Sequence, residues 1–148
     1  MNKMKVEANW GEKTLENLEK NIWHSLSKDE GSHLIKTCNA LRKKQLKDFS
    51  IEDLRIMIGQ DIGLEYLIPM AIVVLEKNIL AEGDLYEGDL LTSILTSEKN
   101  FWKKSTGQWK IICELFEKNT QTLKDFETTW EIKKKWFESY LEFKAYGR

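Results

Sequence analysis

A chain of 148 residues, 41% apolar and 11% aromatic, is large enough for one hydrophobic core and too apolar for disorder. Its formal net charge of −1 argues against a general nucleic-acid binder, which is usually strongly basic. Its longest apolar run, Tyr66 to Leu75, is ten residues, about half the ~20 that a membrane-spanning helix needs.

Few breakers (one proline, eight glycines) among 32% charged residues make a helical signature. Residues 1–13 are polar and lack a signal-peptide pattern. They read as a mobile leader, and a cytoplasmic location is expected. Thr14 suits the cap of a short helix with Leu15, Leu18 and Ile22 on one face and Trp23 at its end. Ser27 to Gly31 reads as a turn. Ser32 opens a second helix whose apolar face is Leu34, Ile35, Cys38, Leu41 and Leu46. Lys36, Arg42, Lys43 and Lys44 face outward, the last three complementing the helix dipole as a solvated cap.

Ser50 opens a third helix, with Glu52 and Asp53 in its first turn and Leu54, Met57 and Ile58 inside. It stops at Gly59. Gly59-Gln60-Asp61-Ile62-Gly63 is a tight link with glycines at positive φ, not a phosphate cradle, since it lacks the Gly-x-Gly-x-x-Gly pattern. A central helix spans Leu64 to Lys77, with a kink at Pro69 or a start near Leu67. It is apolar nearly all round, so burial on most sides is expected. Gly83 and Gly88 frame an acidic loop, and Asp89 suits the cap of DLLTSILT. Ser97 caps the next helix, with Phe101 and Trp102 inward. Gln108 to Lys118 follows, with Trp109, Ile112, Cys113, Leu115 and Phe116 on one face. Last comes one long helix, Thr120 to Tyr146, with Leu123, Phe126, Trp130, Phe137, Tyr140 and Leu141 at helical spacing. The expected fold is therefore all-α: a single compact domain over 1–148 with about eight helices.

Charge is unevenly spread. Between Asp48 and Asp89 ten carboxylates face only Arg55 and Lys77. Residues 98–148, by contrast, carry a net +3 against −4 for the rest. Cys38 and Cys113 sit among apolar residues and read as buried free thiols rather than a disulfide framework. His24 and His33 have no second histidine at i+3 or i+4, so no zinc signature exists. No Ser-His-Asp or Cys-His set stands out. Neither a metal, nor a cofactor, nor a catalytic residue is expected. Trp130 and Trp136 are six apart and point to different faces: either one is exposed for a partner or both pack on preceding helices.

The run TCNALRKKQLKDFSIEDLRIMIGQDIGLEYLIPMAIVVLE, followed by LAEGDLYEGDLL, resembles the immunity proteins of bacterial contact-dependent growth inhibition (CDI). The matching positions are Thr37, Cys38, Leu41 to Lys44, Glu52 to Gln60, Ile62 to Leu64, Tyr66 to Pro69 and Leu80 to Leu91. The chain departs from the family pattern at Asn39, Gln45, Leu85 and Glu87, where the family has His, Pro, Phe and Pro. The resemblance runs from Thr14 to about Leu95. It implies an all-helical, cytosolic, non-enzymatic protein that binds the cognate CdiA C-terminal toxin domain one to one and neutralises it. The implied toxin is a nuclease, with an RNase A-like fold among the options. Direct binding of nucleic acid or membrane is not implied.

Nuclease clefts are cationic because they hold phosphates, and an acidic face steers encounter with such a cleft. The candidate toxin-binding residues are therefore Asp61, Glu65, Glu82, Asp84, Glu87 and Asp89, with Tyr86 as a rigid aromatic anchor. Two alternatives stand beside this. In one, the loop's glycines and aspartates serve turn geometry, leaving specificity to Asp48, Glu52, Asp53, Asp61 and Glu65 or to the aromatic tail. Or the protein is a helical adaptor or regulator of another cationic partner.

Overall fold

The computed structural model describes residues 10–20 and 32–147. Among them the regular secondary structure is helical, apart from one isolated antiparallel bridge between Glu82 and Glu87. Nine α-helices follow in order: α1 Leu15–Glu19, α2 His33–Arg42, α3 Ile51–Gly59, α4 Leu64–Lys77, α5 Asp89–Leu95, α6 Lys99–Lys104, α7 Thr106–Lys118, α8 Thr120–Asp125 and α9 Trp130–Ala145. Short 3₁₀ turns stand at Trp10–Glu12 and Leu46–Asp48. The expectations for residues 1–9, Ile22, Trp23, His24 and the turn before Ser32 lie outside the described residues.

Thr14 caps α1 in a reciprocal capping box with Asn17, which satisfies two otherwise orphaned N–H groups. Residues 10–13 are not a loose leader. The Trp10–Glu12 turn packs on the Leu46–Asp48 turn, the Leu46 N–H donates to the Lys13 carbonyl at 3.0 Å, and the Trp10 ring meets Tyr66 edge-on at 5.1 Å. The basic run after α2 is not a solvated cap either. Arg42 pairs with Glu19, Lys43 with Glu16, Lys44 with Asp53 at 2.6 Å and Lys47 with Glu12 at 3.2 Å. Arg42 faces inward and is buried, because α1 brings a carboxylate to it. Leu34 and Ile35 are exposed instead of core. Burial along α2 is confined to its second half, at Cys38, Leu41 and Arg42.

Ser50 and Asp53 close a second capping box, and Leu54, Met57 and Ile58 are buried as expected. In the link that follows, positive φ falls on Asp61 and Gly63, whereas Gly59 belongs to α3. Gly63 is required: a Cβ there would lie 2.8 Å from a Leu15 methyl. The central helix α4 starts at Leu64, not near Leu67, and continues through Pro69. A proline inside a helix costs about 3 kcal/mol. Seven buried residues on this helix, Pro69 among them, outweigh that, at roughly 1.5–3 kcal/mol for each large side chain removed from water.

Helix α5 packs on α3, α9 and α4. Ser97 does not cap α6. Its buried hydroxyl donates to the Ile94 carbonyl at 2.6 Å and accepts from Trp102 Nε1 at 2.8 Å, while Glu98 caps α6 by accepting from the Asn100 and Phe101 N–H groups. The long helix expected from Thr120 is broken between Asp125 and Trp130, which turns eight predicted helices into nine. Thr129 caps α9. The break lets α9 fold back on α7, where Tyr140 stacks on Phe116 at 4.0 Å and Trp109 Nε1 donates to the Phe143 carbonyl at 2.9 Å. Trp136 is buried, but Trp130 and Leu141 are exposed. Cys38 and Cys113 are free and buried, and burial pushes both thiols above their ordinary pKa.

Candidate functional site

The acidic loop between α4 and α5 is held from below by residues of three helices. Asp89 is the first residue of α5, yet its carboxylate does not cap that helix. It accepts from the N–H groups of Gly83 at 2.7 Å, Leu85 at 2.9 Å and Tyr86 at 3.3 Å. Glu52, in the first turn of α3, accepts from the Asp84 N–H at 2.8 Å and takes a bidentate pair from Arg55 at 2.7 and 2.5 Å. Arg55 Nε stands 3.8 Å from Asp89 Oδ2, so one guanidinium bridges both carboxylates that hold the loop. The Glu52 carboxylate occupies the space a Cβ on Gly83 would need, at 2.5 Å. On the other side Trp136 of α9 donates through Nε1 to the Gly88 carbonyl at 3.3 Å. Gly88 has φ +89, and a Cβ there would lie 2.3 Å from the indole. Both glycines therefore serve close approach, and Gly88 also serves a left-handed turn.

This arrangement sorts the candidate residues. Asp89 is buried, with its carboxylate used inside the loop. Tyr86 is half-buried and donates its hydroxyl to Thr92 Oγ1 at 3.0 Å. Glu82, Asp84 and Glu87 are exposed, and between them Leu85 stands 62% exposed. Leu85 was missed from sequence. Its signal was an apolar residue alone among carboxylates in a loop. Asp61 and Glu65 are exposed but lie elsewhere: Asp61 follows the far end of α3, about 13 Å of helix from Glu52. Asp61 Oδ1 accepts from the Glu98 N–H at 2.8 Å. Burial raises the Asp61 carboxyl above its usual pKa, with that N–H pulling the other way. The structure thus gathers Glu82, Asp84, Leu85 and Glu87 on one outer surface and leaves Asp61 and Glu65 apart. No group of three or more His, Cys, Asp or Glu among the described residues is placed to hold a metal ion.

The Arg55 guanidinium, helped by the Asp84 N–H, holds the Glu52 carboxyl below the usual carboxylate range against a smaller rise from burial. A depressed folded pKa contributes stability that is fully present above the unfolded value, near 4.5, and is lost as pH falls through the lower folded value. Glu52→Gln is therefore expected to remove part of the acid limb. Urea unfolding should show wild type losing stability more steeply than the variant below about pH 4.5. Identical pH slopes would count against the latch.

A helical protein whose acidic loop is braced from within has the form of a binding module. A family model of CDI immunity proteins matches residues 17–112, well past the Leu95 limit of the motif run. The chain belongs to that family. Its members are non-enzymatic toxin inhibitors, and membership implies binding of a cognate CdiA toxin. Among curated proteins and among solved structures nothing matches. No helix among the described residues is long and apolar enough to cross a membrane.

Proposed function

We propose that this protein acts in the cytoplasm as a one-to-one inhibitor of a CdiA C-terminal nuclease toxin, with the outer face of the acidic loop as the contact. The carrying observation is that three exposed carboxylates surround an exposed leucine on a backbone that is already braced. A cationic, phosphate-binding cleft is the natural complement. A preorganised loop loses little entropy on docking, and Leu85 supplies the apolar anchor between steering charges. Two of the loop positions that depart from the family pattern, Leu85 and Glu87, lie on this outer face. The matching positions Glu52, Arg55, Gly83, Gly88 and Asp89 are occupied in bracing it. That division suits a shared scaffold with a variable contact tip. Asp61 and Glu65 would then lie outside the contact, or at its edge on a large interface of about 1,600 Å² in total.

The test is protection. Cells expressing the toxin domain encoded beside this chain should survive when the chain is co-expressed, and the purified toxin's nuclease activity should fall to background at one equivalent. Survival without loss of nuclease activity would rule out the nuclease part of the reading. No protection against any neighbouring toxin would sink the whole of it.

A further inference from the structure

The outer side of α9 carries a feature that the toxin reading leaves untouched. It lies wholly beyond the family-matched residues. Trp130 and Leu141 are 69% and 68% exposed. Between them stand Lys134 and Glu138, whose side chains are 48% and 65% exposed and whose charged atoms approach to 3.8 Å. At about 100° per residue these four positions fall within an arc of about 80°. They form one stripe, about 16 Å from Trp130 to Leu141. Phe137 and the lysines Lys124 and Lys133 border it in a shallow groove. Trp136, which holds the acidic loop, points from roughly the opposite side of the helix.

We propose that this stripe pairs with the same stripe of a second copy, the two α9 helices lying antiparallel about a two-fold axis. Such an axis maps a surface onto itself, so the patch must be self-complementary. This one is. Centring the axis near Lys135 and Trp136 sets Trp130 against Leu141 of the second copy. The same centre sets Lys134 against Glu138 of the second copy, and the reverse. The apolar pair and the charged pair call for centres that agree to within half a residue, under about 1 Å along the axis. Across such an axis each apolar end meets an apolar residue and each central charge meets its opposite, so no like charges face one another. One helix face per copy lies at the low end of interface sizes, below about 1,200 Å² in total. The pairing is therefore weak and concentration-dependent, and it leaves the acidic loop of each copy open, so two toxin domains can be held at once.

Sedimentation equilibrium on the full chain, from about 1 µM to about 1 mM, should show a reversible monomer–dimer equilibrium. Leu141→Glu should abolish it. Lys134→Glu and Glu138→Lys should each weaken it by about tenfold, because each turns two attractive contacts into repulsive ones. The deciding arm is mixing. An equimolar mixture of the two single variants should associate as well as wild type or better, since each copy then faces its complement, and mixing cannot repair the pair within one helix. Circular dichroism checks that each variant is folded, and all these substitutions are on exposed positions. A wild type that stays monomeric throughout, or a mixture no better than either variant alone, would overturn the proposal. Monomeric wild type together with weakened toxin binding by the same variants would overturn it too, and would assign the face to the toxin.

Discussion

Asp89→Ala should destabilise the protein by about 2–4 kcal/mol, although residue 89 lies at the start of a helix where alanine is a good helix former. The wild-type carboxylate is buried and accepts from three backbone N–H groups. Leaving a buried donor unsatisfied costs about 1–3 kcal/mol. Gly83 and Leu85 are near enough to solvent for water to replace part of the loss, which places the sum at the lower end. Arg55 remains paired with Glu52, so no isolated charge is left behind. For a chain of this size the midpoint of thermal unfolding should fall by about 10 °C. Asp89→Asn keeps one acceptor oxygen and should lose about half as much. Hydrogen exchange adds a local check. The Gly83, Leu85 and Tyr86 amides should be protected in wild type and exchange quickly in the alanine variant. A loss below about 0.5 kcal/mol, the range of ordinary surface substitutions, would show that the loop does not depend on this carboxylate.

Glu82→Lys combined with Asp84→Lys should leave the fold intact and slow association with the toxin domain by about 10- to 100-fold at low ionic strength. Electrostatic steering raises association rates by 10- to about 1000-fold, and four units of charge change on the contact tip remove most of it. Both side chains are exposed; the bracing carboxylates bind this segment through the Gly83 and Asp84 backbone N–H groups, and the Asp84 carboxylate adds only a minor attraction to Arg55. Stability should therefore move by no more than about 0.5 kcal/mol. The difference between variant and wild type should shrink as salt is raised past physiological strength, where the screening length falls below about 8 Å. Stopped-flow association at several salt concentrations reads both effects. Equal rates and equal salt slopes would move the interface off the loop, with Asp61, Glu65 and their surroundings next in line.

The two tests address different layers of one stretch. The carboxylates between Asp48 and Asp89 look alike in sequence, yet the fold divides them. Asp53 closes a capping box and pairs with Lys44. Glu52 and Asp89 brace the loop. Glu82, Asp84 and Glu87 face solvent. Counting charge in the stretch therefore overstates the field on the loop's outer face, since several negative charges are already compensated inside the protein.

Local features were legible because they are encoded within four residues. Thr14, Ser32 and Ser50 were identified as caps from their positions before apolar periodic runs, and each accepts the expected N–H. The inner face of α3 followed from spacing alone, whereas α4, expected to be buried on most sides, buries seven residues but leaves Val73 exposed. The resemblance to CDI immunity proteins rested on the same central stretch. The misreadings came where periodicity met a missing neighbour. Leu34, Ile35, Trp130 and Leu141 have helical spacing, but no other element among the described residues covers them. Arg42 had the opposite fate, because Glu19, 23 residues earlier, comes to meet it.

By itself, the sequence determined an all-helical chain, the caps at Thr14, Ser32 and Ser50, its central buried helix and an acidic middle. Those follow from hydrogen bonds and side-chain periods that close within one or two turns. Only the tertiary structure decided which carboxylates are available to a partner. The Glu52–Asp84 contact spans 32 residues and the Trp136–Gly88 contact spans 48, and no local pattern carries either. Contacts of that range form only when α3, α5 and α9 have packed together. Their formation leaves Leu85 between three exposed acids as the loop's outer face.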